Sequence, residues 1–213
     1  MMLKSTTPKG DTYYKGRAKN YEKRRLKQEW WHTEQDEMKS LLESIPDRLS
    51  VLDVPFGTGR FVPFYNDRGF SIFGLDASNE MIEAAQKSLG PLFDTCKCSV
   101  GDAASLPYSD GQFDLVVSTR FLRDIVPFGT AKKMLSEMVR VSSRFLIVQL
   151  GSSPDVGSVP ADHEVWGGRM SQSAVDELLA DHGLTVLDRR LVLSGPEVGN
   201  IHHILVEKKS CAD

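Results

Sequence analysis

Three carboxylates close three apolar runs, and a glycine-bearing loop stands beside the first. Asp53 ends the run within VLDVPFGTGR (51–60), Asp76 ends SIFGLD (71–76), and Asp102 follows Gly101 in VGDAASLPYSDGQFDLVV. Gly57 and Gly59 occupy the loop after Asp53. Glycine has no Cβ, so it accepts unusual dihedrals and lets a ligand approach the backbone. A helix opening just after the loop would present free N–H groups to an anionic group. Asp76 stands 23 positions after Asp53. A carboxylate placed so, at the end of a second strand, suits ribose recognition, because an ionised carboxylate accepts the two hydrogen bonds a vicinal diol donates. The chemistry is that of holding a ligand at a strand–loop–helix junction.

The elements that must position these residues alternate. Spaced apolar positions in 17–45 (Tyr21, Leu26, Trp30, Trp31, Met38, Leu41, Leu42, Ile45) predict one or two helices ending at Ile45-Pro46. Strands are predicted at 51–54, 71–75, 95–100, 113–118 and 144–150, with helices near 58–67, 79–89 (capped by Ser78) and 130–141. Strand–helix alternation predicts a parallel sheet with right-handed crossovers. The rhythm then breaks. Residues 151–170 read as a loop, a helix spans 171–182, and strands at 184–193 and 201–208 flank a turn-rich gap, which predicts an antiparallel hairpin.

In this order and spacing, VLDVPFGTGR, GLDASNEMIEAA, GDAASLPYSDGQFDLVVS and LSEMVRVSSRFLIV resemble the class I S-adenosylmethionine-dependent methyltransferases over about residues 48–150. The resemblance implies an α/β fold: a Rossmann-like, doubly wound seven-stranded sheet with its last strand antiparallel. It implies S-adenosylmethionine as cofactor. Gly57 and Gly59 would pass close to its methionine part, with Asp53 supporting the loop. Asp76 would hold the ribose hydroxyls, Ala77 and Met81 flank the adenine, and Asp102 and the Ala103 backbone meet its polar edge. Ser118 and Thr119 would end strand four beside the transferred methyl. Pro55 stands at the cofactor-facing position where the family's loop begins with glycine; proline fixes φ and removes a donor. Phe56 follows it, as core or as pocket wall. A dinucleotide fingerprint needs a third small residue three positions after its second glycine, and Val62 stands there.

Methyl transfer needs placement more than acid–base chemistry, and a base only where the acceptor arrives protonated. The Asn/Asp-Pro-Pro-aromatic motif of amino-directed base methyltransferases is absent after strand four, where Ser118-Thr119-Arg120-Phe121 stands, as is the cysteine of pyrimidine C5 enzymes. The candidate acceptor-side residues are Arg120 and Arg123, each offering a planar fork to carboxylate or phosphate, and His163 in the 151–170 loop as a base. Tyr14 and Tyr21 are candidates for closing a lid over the cofactor. His202 and His203 fall on opposite faces of the last strand.

Composition sets bounds. The chain has 213 residues, 40% hydrophobic and 26% charged, with net charge −3, which suits one ordinary globular domain. Residues 1–45 are expected as a helical lid segment and 46–213 as the methyltransferase domain. Nine basic residues against three acidic give residues 1–30 a charge of +6, leaving −9 for the remainder. That segment is either a solvated helix face or an arm for an anionic substrate or RNA. A small-molecule acceptor is the first expectation, RNA or a non-catalytic cofactor-binding module the alternatives. No apolar run reaches the roughly 20 residues that span a bilayer, and no secretion signal is recognisable at the start. Three cysteines, with Cys96 and Cys98 close together, make a poor disulfide set and no evident metal site. A cytoplasmic setting is expected.

Overall fold

In the computed structural model, residues 29–125, 127–153, 170–196 and 198–209 are described. The chain opens with α1 (Glu29–Glu43) and then alternates: β1 (Ser50–Asp53), α2 (Val62–Asp67), β2 (Ser71–Asp76), α3 (Asn79–Leu89), β3 (Cys96–Val100), β4 (Phe113–Ser118), α4 (Phe128–Val141), β5 (Ser142–Ser152), α5 (Gln172–Asp181), β6 (Leu184–Gly195) and β7 (Gly199–Lys208). The seven strands form one sheet in the order β3-β2-β1-β4-β5-β7-β6. β1, β2, β3, β4 and β5 pair in parallel. β7 runs antiparallel to both neighbours, β5 and β6. This is the expected seven-stranded Rossmann-like architecture.

Strand alternation splits the core into two layers. One face buries Leu52, Val116, Leu146, Val148 and Ile204 under α4 and α5. The other buries Val51, Leu115, Val117, Ile147 and Leu205 with α1 and α2. Burial on both faces accounts for the near-continuous apolar strands. Helix starts follow their caps: the Ser78 hydroxyl accepts from the Met81 N–H at 3.3 Å, and the Ser171 hydroxyl from the Ala174 N–H at 3.1 Å.

One expected boundary is corrected. The helix read at 58–67 begins only at Val62. Gly59 has φ +68°, in the left-handed region, so no right-handed helix can include it. The six-residue α2 therefore starts a turn later than the glycine loop. Among the described residues no helix is long and apolar enough to cross a membrane.

Candidate active site

The parallel register brings the three carboxylates to one edge. Asp53 pairs with Gly74 and with Val117, and Asp76 pairs with Val100, two residues before Asp102. The glycine loop is fastened on both sides. The Val54 N–H donates to the Val117 carbonyl and the Phe56 N–H to the Leu75 carbonyl, each at 2.9 Å. The Val54–Pro55 peptide is cis.

The two loop glycines do different work. A Cβ at Gly57 (φ +58°) would meet only the Met81 methyl, at 3.8 Å, so this position opens onto the space between the loop and α3. A Cβ at Gly59 would lie 2.6 Å from Leu89 Cδ1 and 3.0 Å from Phe56 Cζ. Gly59 is thus favoured first by its left-handed backbone (φ +68°), with Leu89 and Phe56 packed against it. Phe56 is core, 3% exposed, and its ring covers Gly74, where a Cβ would stand 2.4 Å from Phe56 Cδ2.

Asp76 is oriented by backbone amides. Its Oδ2 accepts from the Gly57 N–H at 2.8 Å and its Oδ1 from the Ser78 N–H at 2.9 Å. Each oxygen keeps a second acceptor direction. Burial pushes this carboxyl upward, against the pull of the Ser78 and Gly57 amides. Asp53, 3% exposed, accepts from the Tyr65 hydroxyl at 3.2 Å. Burial raises its carboxyl to about 8, opposed by Tyr65 and Arg60. Asp102 is exposed and accepts from the Ala104 N–H at 2.8 Å. Ala103 and Met81 are buried, and Ala77 is exposed. Ser118 is buried with no hydrogen-bond partner for its Oγ, and Thr119 accepts from Arg60 Nη2 at 3.3 Å.

A second constellation stands at the same edge, above β4, β5 and β7. Glu34 of α1 is fully buried. It accepts from Arg60 Nη1 at 2.5 Å, Arg120 Nε at 2.9 Å, Arg120 Nη2, and Gln149 Nε2 at 2.5 Å. Burial pushes its carboxyl up, but the two guanidinium groups outweigh this and hold it at about 2. Arg120 has φ +54°, rare for a residue with a side chain. Its N–H donates to Gln149 Oε1 at 3.0 Å, and its guanidinium lies 4.0 Å from the Trp30 ring centre. Arg60 lies 4.9 Å from the Trp31 ring and 4.2 Å from that of Phe61. His203, opposite Gln149 in the β5–β7 register, is fully buried with both ring nitrogens lacking a partner. Burial, with Arg60 and Arg120 nearby, lowers it to about 4.

Ten of the residues singled out in sequence therefore gather along this edge: Asp53, Pro55, Gly57, Asp76, Ala77, Met81, Asp102, Ala103, Ser118 and Thr119. Gly59 packs behind the loop. Arg120 joins the Glu34 cluster, while Arg123 lies aside with its Nε 3.8 Å from Asp124. Tyr14, Tyr21, His163 and most of the basic 1–30 segment fall outside the described residues. Sequence reading missed Glu34, Arg60, Tyr65 and Gln149 and gave His203 no role. One signal was present for Glu34: an acid on the apolar stripe of α1, three residues after Trp31 and four before Met38.

These residues fit S-adenosylmethionine: an open glycine, carboxylates at the ends of three strands and a buried, unpartnered hydroxyl at the end of β4. Comparison with known proteins agrees. Residues 51–144 match the family described as a methyltransferase domain. A demethylmenaquinone methyltransferase of Renibacterium salmoninarum is 37% identical over 92 residues, 43% of this chain and 36% of that protein. An O-methyltransferase of Pyrenophora dematioidea is 30% identical over 149 residues, 65% of this chain and 55% of that one. The chain thus spans from a third to just over half of these relatives' lengths. The crystal structure of magnesium protoporphyrin IX methyltransferase from Synechocystis PCC 6803 with bound S-adenosylmethionine shares the fold. Its TM-score is 0.68 at 16% identity, covering 92% of this chain and 94% of that one. Residues 51–144 thus match a methyltransferase domain, and the seven-stranded sheet that carries them shares its fold with a solved methyltransferase that binds S-adenosylmethionine.

Proposed function

We propose that this protein transfers the methyl group of S-adenosylmethionine to oxygen, nitrogen or carbon of a small-molecule acceptor. The observation that carries the reading is the Asp76 carboxylate, aimed by the Gly57 and Ser78 amides at the end of β2. The relatives named as an O-methyltransferase and a demethylmenaquinone methyltransferase favour a small acceptor over RNA.

The bound cofactor supplies an electrophilic methyl on a cationic sulfur. Asp76 accepts from the two ribose hydroxyls through its remaining lone pairs. Ala77 and Met81 wall the adenine, and Asp102 and the Ala103 backbone meet its polar edge. Gly57, with Pro55 beside it, lets the loop backbone lie against the methionine part, and Asp53 backs the loop. Ser118 and Thr119 border the reacting end. Arg120, held by Glu34, and Arg123, beside Asp124, are the acceptor-side candidates after β4, with His163 as candidate base and Tyr14 and Tyr21 as lid residues of a segment ending at residue 45. In-line placement does most of the work. A cytoplasmic setting is supported by the unpaired thiols of Cys96 and Cys98.

Two measurements test this. Asp76→Ala, with fold retained, loses two charge-assisted hydrogen bonds, each about 1.5–3 kcal/mol, and so at least about 100-fold in S-adenosylhomocysteine affinity. Equal affinities by calorimetry would sink the ribose assignment. Labelled S-adenosylmethionine, offered with metabolites and with RNA, is expected to label a small molecule. Labelling of RNA alone, or of nothing despite tight cofactor binding, overturns the acceptor class.

A further inference from the structure

The edge strand β3 carries Cys96 and Cys98 two residues apart, so both project to one face. Both thiols are free and half-buried. In the parallel register Cys96 stands beside Ile72 and Cys98 beside Gly74, the glycine covered by the Phe56 ring. Cys96 Sγ lies 3.7 Å from the Leu92 carbonyl oxygen and 3.8 Å from Thr95 Oγ1. The neighbouring Cys98 pulls the Cys96 thiol down to about 7, while Cys96 and burial push the Cys98 thiol up. Each thiol turns about its own χ1, so two on the same face of one strand can close on one shared acceptor. Among the described residues there is no group of three or more metal-ligating side chains. The pair therefore suits a centre content with two soft ligands, and thiolates select thiophilic centres over magnesium or calcium.

We propose that Cys96 and Cys98 form a chelating site for a thiophilic metal or metalloid centre at the edge of the sheet. With a trivalent arsenic oxide two As–S bonds form, and the two thiol protons leave with the oxygen as water. No electrons are exchanged. Methyl transfer makes no use of this pair, and binding needs neither cofactor nor acceptor.

The test uses the full chain with Cys211→Ser and phenylarsine oxide as probe. Intact mass should show one phenylarsenic group per chain, and thiol titration the loss of both thiols. Cys96→Ser and Cys98→Ser should each weaken capture by at least about 100-fold, because the second bond is intramolecular. Cadmium ions should protect the wild-type pair and magnesium ions should not. Two adducts per chain, two thiols still titratable, or single variants that bind as tightly would overturn the proposal. Alanine at either position serves where serine disturbs packing, with circular dichroism confirming the fold.

Discussion

Asp53 shows how one buried side chain couples a site to pH. The Tyr65 hydroxyl and Arg60 favour its ionised form, yet burial wins and its carboxyl titrates near 8. At pH 7 the group is mostly protonated in the free protein. A cation bound at the loop would favour the ionised form and expel that proton. S-adenosylmethionine should therefore bind more tightly as pH rises through about 8 and release a proton at pH 7. Calorimetry in buffers of different ionisation enthalpy measures that release. It should vanish in Asp53→Asn, and a wild-type enthalpy independent of buffer would refute the coupling. The Gly57 position shows the complementary device, open space in place of charge, since only the Met81 methyl approaches its missing Cβ.

At the scale of elements, the strand ends carrying Asp53, Asp76 and Asp102 were legible because each closes an apolar run, and period and turn chemistry mark such runs locally. Ser78 was legible as a cap for the same reason, and Ser171 as the start of its helix, where it is the cap. The contacts of α1 were not, because they are set by partners far away in sequence: Glu34 meets Arg60, Arg120 and Gln149, separated by 26, 86 and 115 residues. No local pattern shows that a carboxylate on an apolar stripe will be met by two arginines. Nor does any local pattern show that Arg120 will take a left-handed backbone so that its N–H reaches Gln149. This cluster joins α1 to the loop after β1 and to the segment after β4. Removing the carboxylate leaves two buried guanidinium groups without it, so Glu34→Ala should cost about 3–5 kcal/mol. Glu34→Gln keeps an acceptor and should cost less. Urea unfolding gives the magnitudes, and hydrogen exchange across 29–43 shows whether α1 loosens first. Equal stability of all three proteins would mean that α1 is held by apolar contacts alone.

For the whole molecule, three buried groups shape stability against pH. Glu34 is held near 2 against an ordinary 4.5, so its contribution is present above 4.5 and is lost as pH falls through about 2. His203 stays neutral down to about 4 against an ordinary 6.5, so stability is lost as pH falls from 6.5 to 4. Asp53 runs the other way: the folded form keeps a proton that the unfolded chain releases near 3.8, so stability declines as pH rises from about 4 to 8. Between 4 and 6.5 the last two oppose each other. These groups together predict a broad maximum at mildly acidic pH, a fall below it and a fall of similar slope but smaller extent between 6.5 and 8. Asp53→Asn should remove the alkaline fall, as read by denaturant midpoints across pH. The shared core also bears on how this protein can be dissected. Met38, Leu41, Leu42 and Ile45 pack in the same cluster as Val51, Ile147 and Leu205. A polypeptide begun at residue 46 would expose an apolar trench along the sheet where α1 now lies. Such a fragment should aggregate or bind hydrophobic dyes, and should recover when a peptide spanning residues 29–45 is added back, so the expression boundary belongs upstream of α1.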